Sequence, residues 1–204
     1  MPPHRIDESV AFVPVRIALL TVSDTRDASN DTSGDTLASR IAEAGHVLAA
    51  RTLLKDDEAR ITAQLRRWIE DPQIDVIIST GGTGLTGRDV TVEAFRSVFE
   101  KEIDGFSVLF HQVSFGTVGT STIQSRACAG VALGTYLFAL PGSTGAVKDG
   151  WDNILRYQLD SRNRPCNFVE IMPRLQEHKR APYSPQGGGE GQGEGVSPPC
   201  GGTE

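Results

Sequence analysis

Two aspartates and a run of glycines concentrate the residue types that could do chemistry. Asp56 and Asp89 each come shortly after an apolar run, and before Asp89 lies IISTGGTGLTGRDVT, Ile77 to Thr91, with GTGLTG from Gly82 to Gly87. If those runs are parallel strands of one sheet, their carboxyl tips share an edge and the two acids can face one crevice. Carboxylates so placed suit a divalent cation that bridges and neutralises phosphate oxygens. Neighbouring Asp57 and Glu58 read instead as a helix cap and a first-turn charge, and for Asp56 capping and chemistry both stay open.

The glycine run satisfies G-x-G-x-x-G, a weak pattern by itself. A dinucleotide fingerprint would follow the first strand and place an acid about 20 residues on at the next strand tip. This loop follows the third apolar run, and Glu100 and Glu102 fall in a charged helical region. A P-loop would need Lys and Ser/Thr after its last glycine, where Arg88 and Asp89 stand. A more general reading survives. The small residues Thr80, Gly81, Gly82, Thr83 and Gly84 let main-chain N–H groups converge on an anion at the end of a buried strand. The plain alternative is a tight turn that uses glycine for positive φ.

Other loops can reach the same edge. SDTRDASNDTSG, Ser23 to Gly34, combines hydroxyls, acids and a glycine after the first strand, and PGSTG, Pro141 to Gly145, follows a later one. Arg126, in TSTIQSRACAG, is placed either to clamp a phosphate or to form an ion pair. The histidines His4, His46, His111 and His178 are scattered without metal-ligand spacing.

The elements that would position these groups alternate along the chain. VRIALLTVS from Val15 reads as a buried strand, and a helix capped by Ser33 runs through Leu37 and Ile41 to a left-handed stop at Gly45. VLAARTLL reads as a second strand and DDEARITAQLRRWIED as a helix striped by Ile61, Leu65, Trp68 and Ile69. IDVIIST has the unbroken hydrophobicity of a strand covered on both faces. VTVEAFRSVF and DGFSVLFHQVSF read as helices punctuated by Gly105 and GTVGTS; TYLFAL is a later strand, PGSTG a turn and AVKDGWDNILRYQL a helix. Strands alternating with helices imply an α/β domain around a parallel sheet.

The totals narrow the class. At 204 residues and net charge −6, with no long basic run, the chain is expected to hold one domain and to have neither nucleic acid nor an anionic membrane as its main partner. No stretch has the apolar length of a signal peptide core or a membrane span, so a cytoplasmic protein is expected. Cys128, Cys166 and Cys200 are too widely spaced for a disulfide framework or a zinc site. Residues 1–12 read as an N-terminal extension, 13–178 as the domain and the Gly/Pro-rich 179–204 as a disordered tail.

Taken together, LTVSDTR…DTSG, STGGTGLTGRDVTVEA, DGFSVLF, TSTIQSRACAGV, LPGSTGA and RPCNF resemble the molybdenum cofactor biosynthesis protein B family, in colinear order from about Val10 to Arg174. The resemblance implies a molybdopterin-binding fold, a three-layer α/β sandwich around a mostly parallel sheet, assembled as a trimer or a hexamer. It implies molybdopterin and ATP as substrates, Mg2+ as cofactor, adenylylated molybdopterin and pyrophosphate as products, and other proteins of the same pathway as partners. Thr80 to Gly84 match its phosphate-gripping motif, and Asp56 and Asp89 the two acids associated with activity; the chemistry of two carboxylates beside a triphosphate makes the same pair the expected ligands of Mg2+. Ser33, Gly34, Gly142 and Ser143 match its ligand-loop positions; beside them, Ser23 at the first strand tip and Arg126 stand as further candidate binding residues. Val92 stands where the family often has Pro. PGSTGA is the protein B form of the last motif, and members with that form are also expected as non-catalytic carriers of the pterin.

Overall fold

A computed structural model describes residues 5–27 and 29–177. The short strand β1 (Arg5–Ile6) precedes β2 (Arg16–Val22), the first strand of the main sheet. Helix α1 (Thr32–Glu43) then leads to β3 (Val47–Leu54), and α2 (Glu58–Ile69) to β4 (Val76–Thr80). After the glycine loop come α3 (Thr91–Arg96), β5 (Lys101–Glu102), α4 (Asp104–Val118) and a 3-10 segment, Gly119–Gln124. Strands β6 (Cys128–Ala132) and β7 (Thr135–Leu140) form a hairpin. The next helix runs from α5 (Thr144–Gly150) through a π segment at Trp151–Leu155 into α6 (Arg156–Gln158), before β8 (Asn163–Arg164), α7 (Phe168–Ile171) and a 3-10 turn at Met172–Arg174.

Six strands form the main sheet in the order β3-β2-β4-β7-β6-β5. The first four are parallel, while β6 and β5 run antiparallel to their neighbours. Successive side chains of a strand point to opposite faces, and both faces of β2 are apolar. Ile17 and Leu19 pack with Leu37 and Ile41 of α1, Phe106 and Phe110 of α4 and Val147 and Trp151 beyond β7. Ala18, Leu20 and Val22 pack on the other side with Ile61, Leu65 and Trp68 of α2 and Phe95 of α3. The result is the expected three-layer sandwich around a mostly parallel sheet.

Some boundaries differ from expectation. Asp31, not Ser33, caps α1, because its carboxylate accepts the Gly34 N–H at 3.0 Å. Gly105 lies inside the first turn of α4, and the helix continues through Gly116 before Gly119, at φ 60°, ends it. Within the expected N-terminal extension, Arg5 and Ile6 pair with Arg164 and Asn163. The expected disordered tail, 179–204, lies outside the described residues. Among the described residues, no helix is long and apolar enough to cross a membrane.

Candidate functional site

Because β2, β3, β4 and β7 are parallel, the loops leaving their carboxyl ends lie on one edge of the sheet: 23–31, 55–57, 81–90 and 141–143. That edge is where open α/β sheets bind ligands. Thr80 and Gly81 join two of these loops, the Thr80 hydroxyl donating to the Pro141 carbonyl at 3.1 Å and the Gly81 N–H to Leu140 at 3.0 Å.

The glycines are held by backbone approach. Gly81 and Gly82 have φ of 102° and 63°, a region that strains other residues. A Cβ on Gly81 would sit 2.0 Å from the Val22 carbonyl oxygen, and one on Gly142 would sit 3.1 Å from Gly81 Cα. A Cβ on Gly82 would lie 2.6 Å from Asp56 Oδ1 and 2.3 Å from Thr91 Oγ1, and one on Gly84 would lie 2.8 Å from Asp89 Oδ2. The two acids singled out in the sequence therefore flank the glycine loop, Asp56 against Gly82 and Asp89 against Gly84.

Their protonation differs for physical reasons. Burial, reinforced by the charges of Asp24 and Asp89, raises the pKa of Asp56 from its ordinary value. Burial also opposes ionisation of Asp89, but hydrogen bonds from Thr86 and Gly84 and the charge of Arg126 outweigh it and lower its pKa. Asp89 Oδ2 accepts the Thr86 N–H at 2.9 Å and its hydroxyl at 2.6 Å.

Arg126 supports this loop from beside it. Its Nε donates to the Gly84 carbonyl at 2.7 Å, Nη2 donates to the Asp89 carbonyl at 2.9 Å, and both Nη groups meet Glu93. Ser33 and Gly34 are buried around Asp31, where Arg26 donates to the Ser33 hydroxyl and Asp31 accepts from Thr21 and Arg51. Gly34 must be small there, since its Cβ would fall 2.0 Å from Asp31 Oδ2. Ser23 Oγ accepts the Thr25 and Arg26 N–H groups, and Ser143 is spent as the cap of α5, accepting the Ala146 N–H at 3.1 Å.

Three residues at this edge were missed in the sequence. Asp24 accepts two bonds from Arg88 and lies beside Asp56. Thr91 is fully buried, and its hydroxyl has no hydrogen-bond partner among the described residues. The quoted stretch IISTGGTGLTGRDVT contains both Arg88 and Thr91, but nothing in their types told them from ordinary loop and first-turn residues.

A glycine loop beside two acids at the carboxyl edge of a mostly parallel sheet places this chain among the open α/β proteins, whose ligands characteristically bind at that edge. The family described as a probable molybdopterin binding domain matches residues 18–161. Molybdenum cofactor biosynthesis protein B of Escherichia coli K12 is 48% identical over 160 residues, covering 78% of this chain and 94% of its own length. Its counterpart in Staphylococcus epidermidis is 45% identical over 150 residues, covering 72% and 85%. A crystal structure of a molybdenum cofactor biosynthesis protein B matches with TM-score 0.74 at 34% identity, covering 82% of this chain and 99% of that one. The tungsten cofactor synthesizing protein MoaB of Pyrococcus furiosus matches with TM-score 0.63 at 28% identity, covering 82% and 98%. This chain belongs to the molybdenum cofactor biosynthesis protein B family.

Proposed function

We propose that, within molybdenum cofactor biosynthesis, this protein binds molybdopterin and adenylylates it with Mg-ATP, releasing pyrophosphate. The observation that carries this reading is the placement of Asp56 and Asp89 against Gly82 and Gly84 of one anion-binding loop. Asp89 also holds the loop through Thr86, but a second, partly buried acid, Asp56, beside the same turn suits a reaction run through a bound cation better than pterin binding alone.

The residues fit a divalent cation. Burial, together with the charges of Asp24 and Asp89, disfavours the ionised form of Asp56, a cost that a cation at the loop would offset. Among the described residues no group of three or more His, Cys, Asp or Glu side chains is placed to hold a metal by itself. Mg2+ characteristically uses one or two carboxylates and completes its shell with water and substrate phosphates. Asp56 and Asp89 would hold it, and its charge would offset that of the phosphates.

The chain's own contribution is positioning. In the transfer, a terminal phosphate oxygen of the pterin forms a bond to the α-phosphorus of ATP as the bond to pyrophosphate breaks. The Gly81 N–H is held by the Leu140 carbonyl and that of Gly84 by Asp89, so the main-chain N–H groups of Gly82 and Thr83 between them orient the phosphates, and the rigid turn fixes them before reaction.

Incubating the protein with molybdopterin, Mg2+ and ATP should release pyrophosphate only when the pterin is present. Asp89→Asn should lower turnover at least about 100-fold while pterin binding persists. Tight pterin binding without pyrophosphate would select a carrier instead, and unchanged turnover in the variant would remove Asp89 from the chemistry.

A further inference from the structure

A nucleotide with several phosphates calls for cationic donors, yet the guanidinium of Arg126 is already committed to two loop carbonyls and Glu93. Moving it would release the main chain of Gly84 and Asp89, the part of the loop that must stay fixed. Arg88, on the same loop, is placed differently. Its side chain is 71% exposed, and among the described residues it bonds only to Asp24 Oδ2, through Nε at 2.9 Å and Nη2 at 2.5 Å. It bridges the loops that follow β2 and β4 through Asp24, and its charge is felt at Asp56.

An exposed ion pair of this kind is weakly held. A guanidinium meeting a phosphate makes stronger, bidentate bonds. Asp24 is anchored independently of Arg88, because Lys55 donates to its carbonyl and its Oδ1 accepts the Asp56 N–H at 3.4 Å. The loop segment that carries the carboxylate is therefore tied down without the guanidinium.

We propose that Arg88 is a phosphate-binding side chain stored on Asp24, and that a bound nucleotide polyphosphate draws it from Asp24 Oδ2 onto a phosphate oxygen. The proposal rests on the Mg-ATP reading above and deepens it.

Titration calorimetry with Mg-ATP alone, without pterin, tests it on the full chain. Arg88→Met should weaken binding roughly tenfold or more, with Arg88→Lys falling between that variant and the parent. Asp24→Asn, which keeps the acceptor for the Asp56 N–H, should tighten binding by up to about fivefold by removing a competitor. The double variant should bind like Arg88→Met alone, because the gain at Asp24 acts through Arg88. Binding by Arg88→Met within twofold of the parent would overturn the exchange and leave the nucleotide reading intact. An Asp24→Asn gain that persisted without Arg88 would also overturn it, by showing that only a negative charge had been removed. A parent protein that bound no Mg-ATP would overturn the nucleotide reading, and the exchange with it.

Discussion

Asp56 carries an electrostatic cost that the proposed cation would offset. Its pKa is raised by burial and by two neighbouring acids, so its neutral form is favoured by folding. The stability it contributes is complete below the ordinary carboxylate range and is lost as pH rises through the raised value. At neutral pH in metal-free buffer, Asp56→Asn should therefore unfold at a higher temperature than the parent. The gain should be no more than about 1 kcal/mol, since solvent screens this partly exposed group. The gap should close as pH falls below the carboxylate range, and thermal melts across pH measure it. A lower midpoint for Asn at neutral pH would show that the carboxylate is satisfied by contacts in the folded chain and does not await a cation. Asp56 and Asp89 were legible as candidates because an acid at a strand tip is an uncommon use of a carboxylate. Asp24 and Thr91 were not, because one is an acid within a polar loop and the other is a threonine at a helix start.

Among the elements, α1 depends most on a single side chain. Asp31 is 1% exposed, caps the helix through the Gly34 N–H, and receives Thr21 of β2 and Arg51 of β3. Burial alone would raise its pKa, but the Thr21 and Arg51 bonds prevail and lower it. A lowered value means that the stabilisation is present above the unfolded-state pKa and is lost as pH falls through the folded one. Asp31→Asn should cost roughly 2 to 4 kcal/mol at neutral pH, shrinking in acid, as denaturant titrations at two pH values would show. An equal loss at both would mean that shape, not charge, anchors the helix. The same helix shows what a sequence conceals: Ser33 and Asp31 are both good caps, and only the buried partners of Asp31 choose between them. Strands β2, β3, β4 and β7 were legible from their apolar runs. Strand β6 was not, because Cys-Ala-Gly-Val-Ala lacks the branched and aromatic residues of a strand. Its Gly130 is small because the Phe99 ring lies where a Cβ would be, at 2.4 Å.

At the scale of the whole molecule, α4 is apolar on two sides. Phe106 and Phe110 enter the core, whereas Val108, Phe115 and Val118 are 69%, 59% and 50% exposed, and Ile123 of the following 3-10 segment is 78% exposed. A helix that is hydrophobic all round is normally covered, and exposed apolar patches of this kind mark association sites. Copies of this chain are the occupants that the expected trimer or hexamer requires. The patch is also mechanically linked to the site, because the 3-10 segment runs directly into Ser125 and Arg126, whose side chain holds the Gly84 and Asp89 carbonyls. Covering Ile123 and Phe115 would restrain that support, so assembly and loop order should rise together. Sedimentation of the parent should give the mass of a trimer or hexamer. Phe115→Glu should shift it toward the monomer while circular dichroism stays unchanged, because Phe115 is absent from the core. Its KM for ATP should rise as the glycine loop loosens. A parent that sediments as a monomer, or a variant that keeps its oligomeric mass, would assign the patch to some other contact and detach assembly from the site.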